Sequence, residues 1–264
     1  MSILNITPDS FSDGGTFYTD ELQLDRVLRY AEGSISAGSS ILDVGGESSR
    51  PGASAISVTE ELDRVIPVIE ALRARFDTLI SVDSSTPEVI RESAAAGVRL
   101  INDIRSLQRR GAMEAALETG LPVCLVHMQG TPKTMQKRPT YANVVRDVHT
   151  WLMRRVDACL VAGFSANQLV LDPGFGFGKT LDHNIALFRD LARLVQTGYP
   201  VLVGVSRKTM IGEITGRPIE QRITGSAMAA AIAASYGAAI LRVHDVAETR
   251  DALIVMQALT QGVQ

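Results

Sequence analysis

Residues 169–180 read LVLDPGFGFGKT: an apolar run, an aspartate at its tip, then three glycines spaced two apart ahead of a lysine and a threonine. The tail looks like the end of a nucleotide-binding phosphate loop, in which successive backbone N–H groups wrap phosphate oxygens. Such a loop needs a glycine five positions before Gly178. Pro173 stands there with no N–H to give, and Gly174 comes one residue late. The segment reads instead as a strand that delivers Asp172 at its end.

The same pattern recurs. SILNI (2–6), SILDVGG (40–46), LISVDS (79–84), LINDIRS (100–106), PVCLVHM (122–128), LVLDPG (169–174), VLVGVSR (201–207) and AILRVHD (239–245) make eight short runs rich in Val, Ile and Leu. Continuous apolar character, rather than alternation, marks strands covered on both faces, as in parallel sheets. Helical stretches lie between them. Residues 59–76 carry an apolar stripe at Leu62, Val65, Ile66, Ile69 and Leu72, with acids first and arginines last to suit the helix dipole. Residues 86–97 offer Thr86 as N-cap, Pro87 at the first helical position and Gly97 as a stop. Residues 141–164, 181–195 and 223–237 also read as helices, with Thr180 capping the second of these.

Strand then helix, eight times, with no Pro/Gly-rich linker, predicts an α/β chain folded as a single (β/α)8 TIM barrel over residues 1–264. The competing open doubly wound sheet would want a GxGxxG turn after the first strand, and none is present. A chain of 264 residues, 45% hydrophobic and 21% charged, has ample apolar surface for one such core. A net charge of −3 leaves no footprint for nucleic acid, so any basic site is local. No stretch approaches the roughly 20 apolar residues of a membrane span. The start of the sequence lacks a charged, cleavable leader, so secretion is not expected. Cys124 and Cys159 are far apart and read as free buried thiols in a reducing cytoplasm.

Polar residues collect where the runs end: Asn5, Asp43, Asp83, Asn102, His127, Asp172, Ser206-Arg207-Lys208, Arg242 and His244. In a parallel barrel these ends share one face, where such enzymes place their active sites. Any single one has a bland explanation, because strand ends adjoin polar loops. The repetition, with acids, amides and cations interleaved, argues for a site. Asp83, Asn102 and Asp172 suit a planar pair of donors, such as the amino group and ring N–H of a guanidine-like heterocycle. Arg50, Lys208, Arg242 and His244 form a cationic pocket for an anionic group. Asn5, with loop acids Asp9 and Asp13, could hold a hard divalent ion against phosphate oxygens. Together these residues ask for a ligand with a heteroaromatic end and a phosphorylated end.

On these residues the chain resembles the dihydropteroate synthase family. ILNITPDSFSDGG (3–15), DVGGESSRPG (43–52), SVDSSTPEVI (81–90), INDIRS (101–106), LVHMQGTPKTMQ (125–136), LDPGFGFGK (171–179), VGVSRKTMIG (203–212) and LRVHDV (241–246) carry the resemblance, in order and at every strand. It implies a transferase that condenses 6-hydroxymethyl-7,8-dihydropterin diphosphate with 4-aminobenzoate, releasing pyrophosphate, with Mg²⁺ as cofactor. It implies that the pterin sits on Asp83, Asn102, Asp172 and Lys208, and that Asn5 ligates Mg²⁺. Arg242 and His244 would bind the diphosphate with help from Ser49. Phe11, Arg50, Pro51, Phe177 and Ser206 would shape the aminobenzoate pocket, and Asp13 belongs to the first of two loops, 7–19 and 46–57, expected to close over the site. Gly174, Gly176 and Gly178 would let their loop pass close beneath a flat ring. A homodimer through helices distant from the site is also implied.

Two other functions compete: a barrel methyltransferase moving a methyl group from a reduced folate to a corrinoid, and a non-catalytic pterin-binding module. The first would not need SRK, RVH and SSRPG together. Departures from the family are few. Ser49 stands where many relatives have threonine, Ser2 replaces a commoner glycine, and Met1 falls within a customary N-terminal hairpin. With no insertion beside ESSRPG, sulfonamide sensitivity is expected. Bland roles are expected elsewhere: His127 satisfied by backbone, His149 and His183 on helices, Lys179 in a loop, Arg105 and Arg207 bracing acids, and Asp43 orienting the Gly45–Ser49 loop.

Overall fold

Every one of the eight apolar runs contains a strand. The computed structural model describes residues 1–7, 17, 22–48 and 56–261. The expectations placed on Asp9, Phe11, Asp13, Ser49, Arg50 and Pro51 lie outside the described residues. Strands β1 (Ser2–Asn5), β2 (Ile41–Gly45), β3 (Leu79–Asp83), β4 (Leu100–Asp103), β5 (Val123–Val126) and β6 (Leu169–Asp172) pair in sequence order, all parallel. Strands β7 (Leu202–Val203) and β8 (Ile240–Leu241) pair with each other. Two parallel bridges close the circle, Leu171 to Val201 between β6 and β7, and Ser2 to Val243 between β8 and β1. The fold is a TIM barrel.

The pleat sorts the side chains. Alternate residues of a strand face opposite sides, so Leu42, Val44, Ile80, Val82, Ile101 and Leu125 pack outward in the main apolar cluster, under the helices. Residues of the other parity enter the barrel. Cys124, Val126, Val170 and Leu202 form a small inner cluster there. That parity also carries Asn5, Asp43, Asp83, Asn102 and Asp172 inward. Register then aligns them: Asn5 pairs with Gly45, Gly45 with Asp83, and Asp83 with Asn102, one row across four strands.

Ten helices surround the strands among the described residues: α1 (Leu24–Ser36), α2 (Val58–Arg75), α3 (Pro87–Ala95), α4 (Ala112–Thr119), α5 (Val144–Ala162), α6 (Leu181–Arg189), α7 (Leu191–Val195), α8 (Thr209–Thr215), α9 (Ile223–Ser235) and α10 (Val246–Gln261). Helix α2 begins one residue earlier than its pattern predicts, because the Ser57 side chain accepts from the Glu60 N–H at 3.1 Å. Thr86 occupies the N-cap position of α3 without capping it. Its hydroxyl donates to Glu61 at 2.5 Å and accepts from Arg109 at 2.7 Å. Asn143 caps α5 by accepting from the Arg146 N–H at 3.0 Å, three residues inside the predicted span. The stretch predicted as one helix over 181–195 divides at Asp190, while Thr180 caps its start as expected.

The outer layer depends on residues such as Leu125, which is fully buried between sheet and helices. Leu125→Ala is expected to cost about 2–5 kcal/mol of unfolding free energy, since the cavity cannot fully collapse. Chemical denaturation checks it; a loss under about 1 kcal/mol contradicts the packing described.

Candidate active site

A guanidinium spans the mouth of the barrel. Arg242, just past β8, donates from Nε to Asp43 Oδ2 at 2.5 Å and from Nη2 to Asp83 Oδ2 at 2.8 Å. Asp43, wholly buried on β2, accepts a second bond from Asn102 Nδ2 at 3.1 Å. One cation and one amide thus join the ends of β2, β3, β4 and β8. Burial opposes the charge on Arg242, but Asp43 and Asp83 outweigh it and hold the guanidinium above its ordinary pKa. Asp83 moves the other way. Burial pushes its carboxyl up, to about 7, against the pull of Arg242 and with repulsion from Asp43, Asp103 and Glu47 behind it. Two buried acceptors, Asp43 Oδ1 and Asn102 Oδ1, have no hydrogen-bond partner among the described residues. Buried oxygens of this kind call for a donor.

The opposite wall is built by the turn after β6. Gly174 donates its N–H to Asp172 Oδ1 at 2.6 Å, fixing the carboxylate at the strand tip. Burial raises the Asp172 pKa, opposed by Lys208, the Gly174 N–H, Lys179 and Arg242. Lys208, at the N-cap position of α8, donates to the Phe175 carbonyl at 2.5 Å and lies 4.5 Å from the centre of the Phe177 ring. Burial lowers its amine to about 8, with Asp172 pulling it back up. A methyl group on Gly176 would stand 3.3 Å from Lys208 Cδ, so this glycine brings the backbone close to the lysine stem. Gly174 is more restricted: at φ +67°, an added Cβ would lie 1.9 Å from the His127 carbonyl oxygen.

Ser206 and His244 complete the rim. The Ser206 hydroxyl accepts from the His244 N–H at 3.1 Å and meets His244 Nδ1 at 3.0 Å. Arg207, between Ser206 and Lys208, turns outward at φ +54° and donates to Asp245 from Nε at 2.9 Å. A cavity of about 1080 Å³ opens between these walls, lined by Asn5, Thr7, Phe177, Ser206, Lys208, Arg242 and His244. It exceeds a typical small-ligand pocket and has room for a two-part ligand.

Of the side chains predicted to form a site, the structure brings together Asn5, Gly176, Phe177, Ser206, Lys208, Arg242 and His244 around the cavity, with Asp83, Asn102 and Asp172 at the inward ends of their strands. Two expectations need correction. Asp43 turns into the barrel, to Arg242 and Asn102, rather than toward the loop after β2. His127 is not satisfied by backbone alone, since its Nδ1 meets Lys179 Nζ at 2.9 Å. Lys179 lies in a loop as expected, yet only 3% of it is accessible. It is the sole cation in residues 172–180, and a loop whose glycines crowd carbonyls together needs one donor. Arg105 pairs with Glu47 at 2.8 Å, and His183 closes the cap of α6 by accepting from the Thr180 N–H at 3.2 Å.

Comparison with known proteins agrees with this geometry. The family model for pterin binding enzymes matches residues 1–244. The chain is similar to the dihydropteroate synthases of Haemophilus influenzae and Escherichia coli, 54% identical to each over 258 residues; these alignments cover 98% of this chain and 92% and 90% of the relatives. Among solved structures it resembles Yersinia pestis dihydropteroate synthase in complex with a sulfonamide drug, with a TM-score of 0.94, 53% identity and coverage of 98% and 93%. It also resembles the Xanthomonas albilineans enzyme in complex with 7,8-dihydropteroate, with a TM-score of 0.87, 45% identity and coverage of 100% and 94%. These relatives favour the synthase over the corrinoid methyltransferase and the non-catalytic module.

The raised Asp83 carboxyl has a consequence for stability. The folded chain holds the Asp83 proton more tightly than the unfolded chain, whose Asp titrates near pH 4. This contribution is complete below about pH 4 and is lost as pH rises through about 7. Asp83→Asn is therefore expected to gain stability relative to wild type between pH 5 and pH 8 in the ligand-free protein. Urea unfolding across that range checks it; a difference independent of pH contradicts it.

Proposed function

The chain belongs to the dihydropteroate synthases of the pterin-binding family, and on that premise we propose how its side chains divide the condensation of 6-hydroxymethyl-7,8-dihydropterin diphosphate with 4-aminobenzoate. The observation that carries the reading is a cavity lined by Asn5, Ser206, Lys208, Arg242 and His244, in which Arg242 is bonded to the inward acids Asp43 and Asp83.

The pterin ring presents an amino group and a ring N–H along one edge. Asp172, fixed by the Gly174 N–H, accepts from that edge. Asn102 Oδ1 accepts a further ring donor, because Asp43 already occupies the amide nitrogen and leaves the oxygen available. Lys208 and Asp83 flank the ring. The diphosphate faces Arg242 and His244. Arg242 commits Nε and one N–H of Nη2 to carboxylates and keeps its other N–H groups for phosphate oxygens. Phe177 and Ser206 line the place of the aminobenzoate, together with Phe11, Arg50 and Pro51, while Ser49 assists at the diphosphate; these last four lie outside the described residues.

The chemistry follows from this placement. The bond from the pterin methylene carbon to the diphosphate oxygen breaks, the oxygen keeping the electron pair and the cationic rim stabilising the charge that develops. The methylene is left electron-poor, and Asp83 and Asp172 disperse that positive charge through the ring. The aminobenzoate nitrogen forms the new bond and gives up a proton. No side chain forms a covalent bond, so the buried thiols of Cys124 and Cys159 have no part in it.

Magnesium suits this arrangement. Among the described residues no group of three or more His, Cys, Asp or Glu could hold a metal. An ion that keeps several waters and binds substrate phosphates requires only one or two protein oxygens, and Asn5 offers one beside His244 and Arg242. When bound, the ion would supply charge neutralisation at the diphosphate. A cytoplasmic location suits the two buried free thiols. A homodimer suits helices α9 and α10, which pack together and expose Met228, Tyr236, Ile254, Val255 and Leu259.

Pyrophosphate release from the two substrates tests the assignment. Asp172→Asn and Lys208→Ala are each expected to lower kcat/KM by at least about 100-fold, roughly 2.7 kcal/mol of transition-state stabilisation. Wild-type values in both would show that the ring binds elsewhere.

A further inference from the structure

Lys179 is the part of the LDPGFGFGKT segment that the reaction leaves unexplained. Its amine lies 2.8 Å from the Gly174 carbonyl, 3.1 Å from that of Phe177, 3.3 Å from that of His127 and 2.9 Å from His127 Nδ1. The first two carbonyls are the ends of one turn, since the Phe177 N–H donates to the Gly174 oxygen at 3.1 Å. The residues held inside that turn are those that meet Lys208. The Phe175 carbonyl accepts from its amine, Gly176 touches its stem, and Phe177 lies beneath it.

The alternative is that Lys179 only staples two loops for stability. A buried amine whose hydrogen-bond partners are all uncharged is an expensive staple: burial lowers its pKa well below the ordinary value, and the pull of Asp172 does not make up for it. The loop has cheaper ones. Gln136 donates to the Gly176 carbonyl at 2.5 Å and Tyr141 to the Gly178 carbonyl at 2.7 Å, both from more exposed positions. What Lys179 adds is a fixed distance between the two ends of the Gly174–Phe177 turn, referred to the rigid end of β5 through His127. The His127 ring is itself set edge-on against Trp151 at 5.0 Å. Burial, then the neighbouring Lys179, lowers the His127 pKa to about 2, so the imidazole stays neutral.

We propose that Lys179 is a positioning residue for the aminobenzoate half of the reaction: by clamping the Gly174 and Phe177 carbonyls to the end of β5, it sets the Phe177 ring and the Gly176 backbone against Lys208. The inference rests on the reading that places Phe177 beside aminobenzoate. Among the pterin groups, Asp83 and Asn102 stand on β3 and β4, apart from the clamp; Asp172 adjoins it, but its bond comes from the Gly174 N–H, whereas the clamp takes the Gly174 carbonyl.

Steady-state kinetics of Lys179→Met, with both substrates varied, test it. The KM for 4-aminobenzoate is expected to rise at least about tenfold while the KM for the pterin diphosphate changes less than about threefold. Lys179→Arg keeps the charge and the donors and is expected to recover most of that loss. A staple that only stabilises the fold would lower apparent kcat and leave both KM values in place, and that result overturns the inference. Phe177→Ala separates the two readings. If it raises the aminobenzoate KM and Lys179→Met does not, the clamp is wrong and the subsite stands. If neither variant moves it, the subsite falls and takes the clamp with it. Should Lys179→Met not accumulate as folded protein, Lys179→Gln carries the same test with an expected rise of about three- to fivefold, and no rise overturns the inference.

Discussion

The bonds from Arg242 to Asp43 and Asp83 are the constraint on which the site depends. Three inward acids, Asp43, Asp83 and Asp172, crowd the upper barrel, and none is more than 13% accessible. Burial raises the Asp83 and Asp172 carboxyls, and Arg242 pulls both back toward the charged form. The tie also has a structural effect. Strands β7 and β8 pair over two residues each, and single bridges join them to β6 and β1. A two-pronged link from β8 to β2 and β3 reinforces the part of the circle with the thinnest ladder.

That arrangement gives Arg242 and Asp43 two functions each. The guanidinium neutralises the acids that grip the ring and keeps N–H groups for the leaving diphosphate. Asp43 fixes the guanidinium and, by taking the Asn102 amide nitrogen, determines which face of that amide meets the ring. On the other wall, backbone contacts replace ion pairs. Gly174 passes so close to the His127 carbonyl that only glycine fits, which brings the exits of β5 and β6 into one rigid unit. One side of the cavity is organised by charge and the other by close approach of main chain.

Much of the fold could be read from the sequence, because continuous apolar runs and strand–helix alternation are local signals with one economical solution. Asp83 and Asp172 were equally legible, since each ends a strand and parity does the rest, whereas Asp43, two residues before the end of β2, was expected at the following loop. Boundaries were less so. The runs at 201–207 and 239–245 pair over only two residues, because the chain leaves the sheet early to place Ser206, Lys208, Arg242 and His244 on the rim. The helix predicted over 181–195 breaks at Asp190, which no proline or glycine announces. Partners remote in sequence were not legible at all. Asp43 and Arg242 stand 199 positions apart, and the lysine of a GKT triplet gives no local sign that its amine is buried against a histidine 52 residues earlier.

Asp43 and Arg242 act as one unit in holding substrate. A double-mutant cycle of Asp43→Asn and Arg242→Gln, read as calorimetric affinity for the dihydropterin diphosphate, measures that directly. The two substitutions are predicted to couple by at least about 1 kcal/mol, the double variant binding little worse than Arg242→Gln alone. Losses that simply add, within roughly 0.3–0.5 kcal/mol, would mean that the two side chains serve the substrate independently.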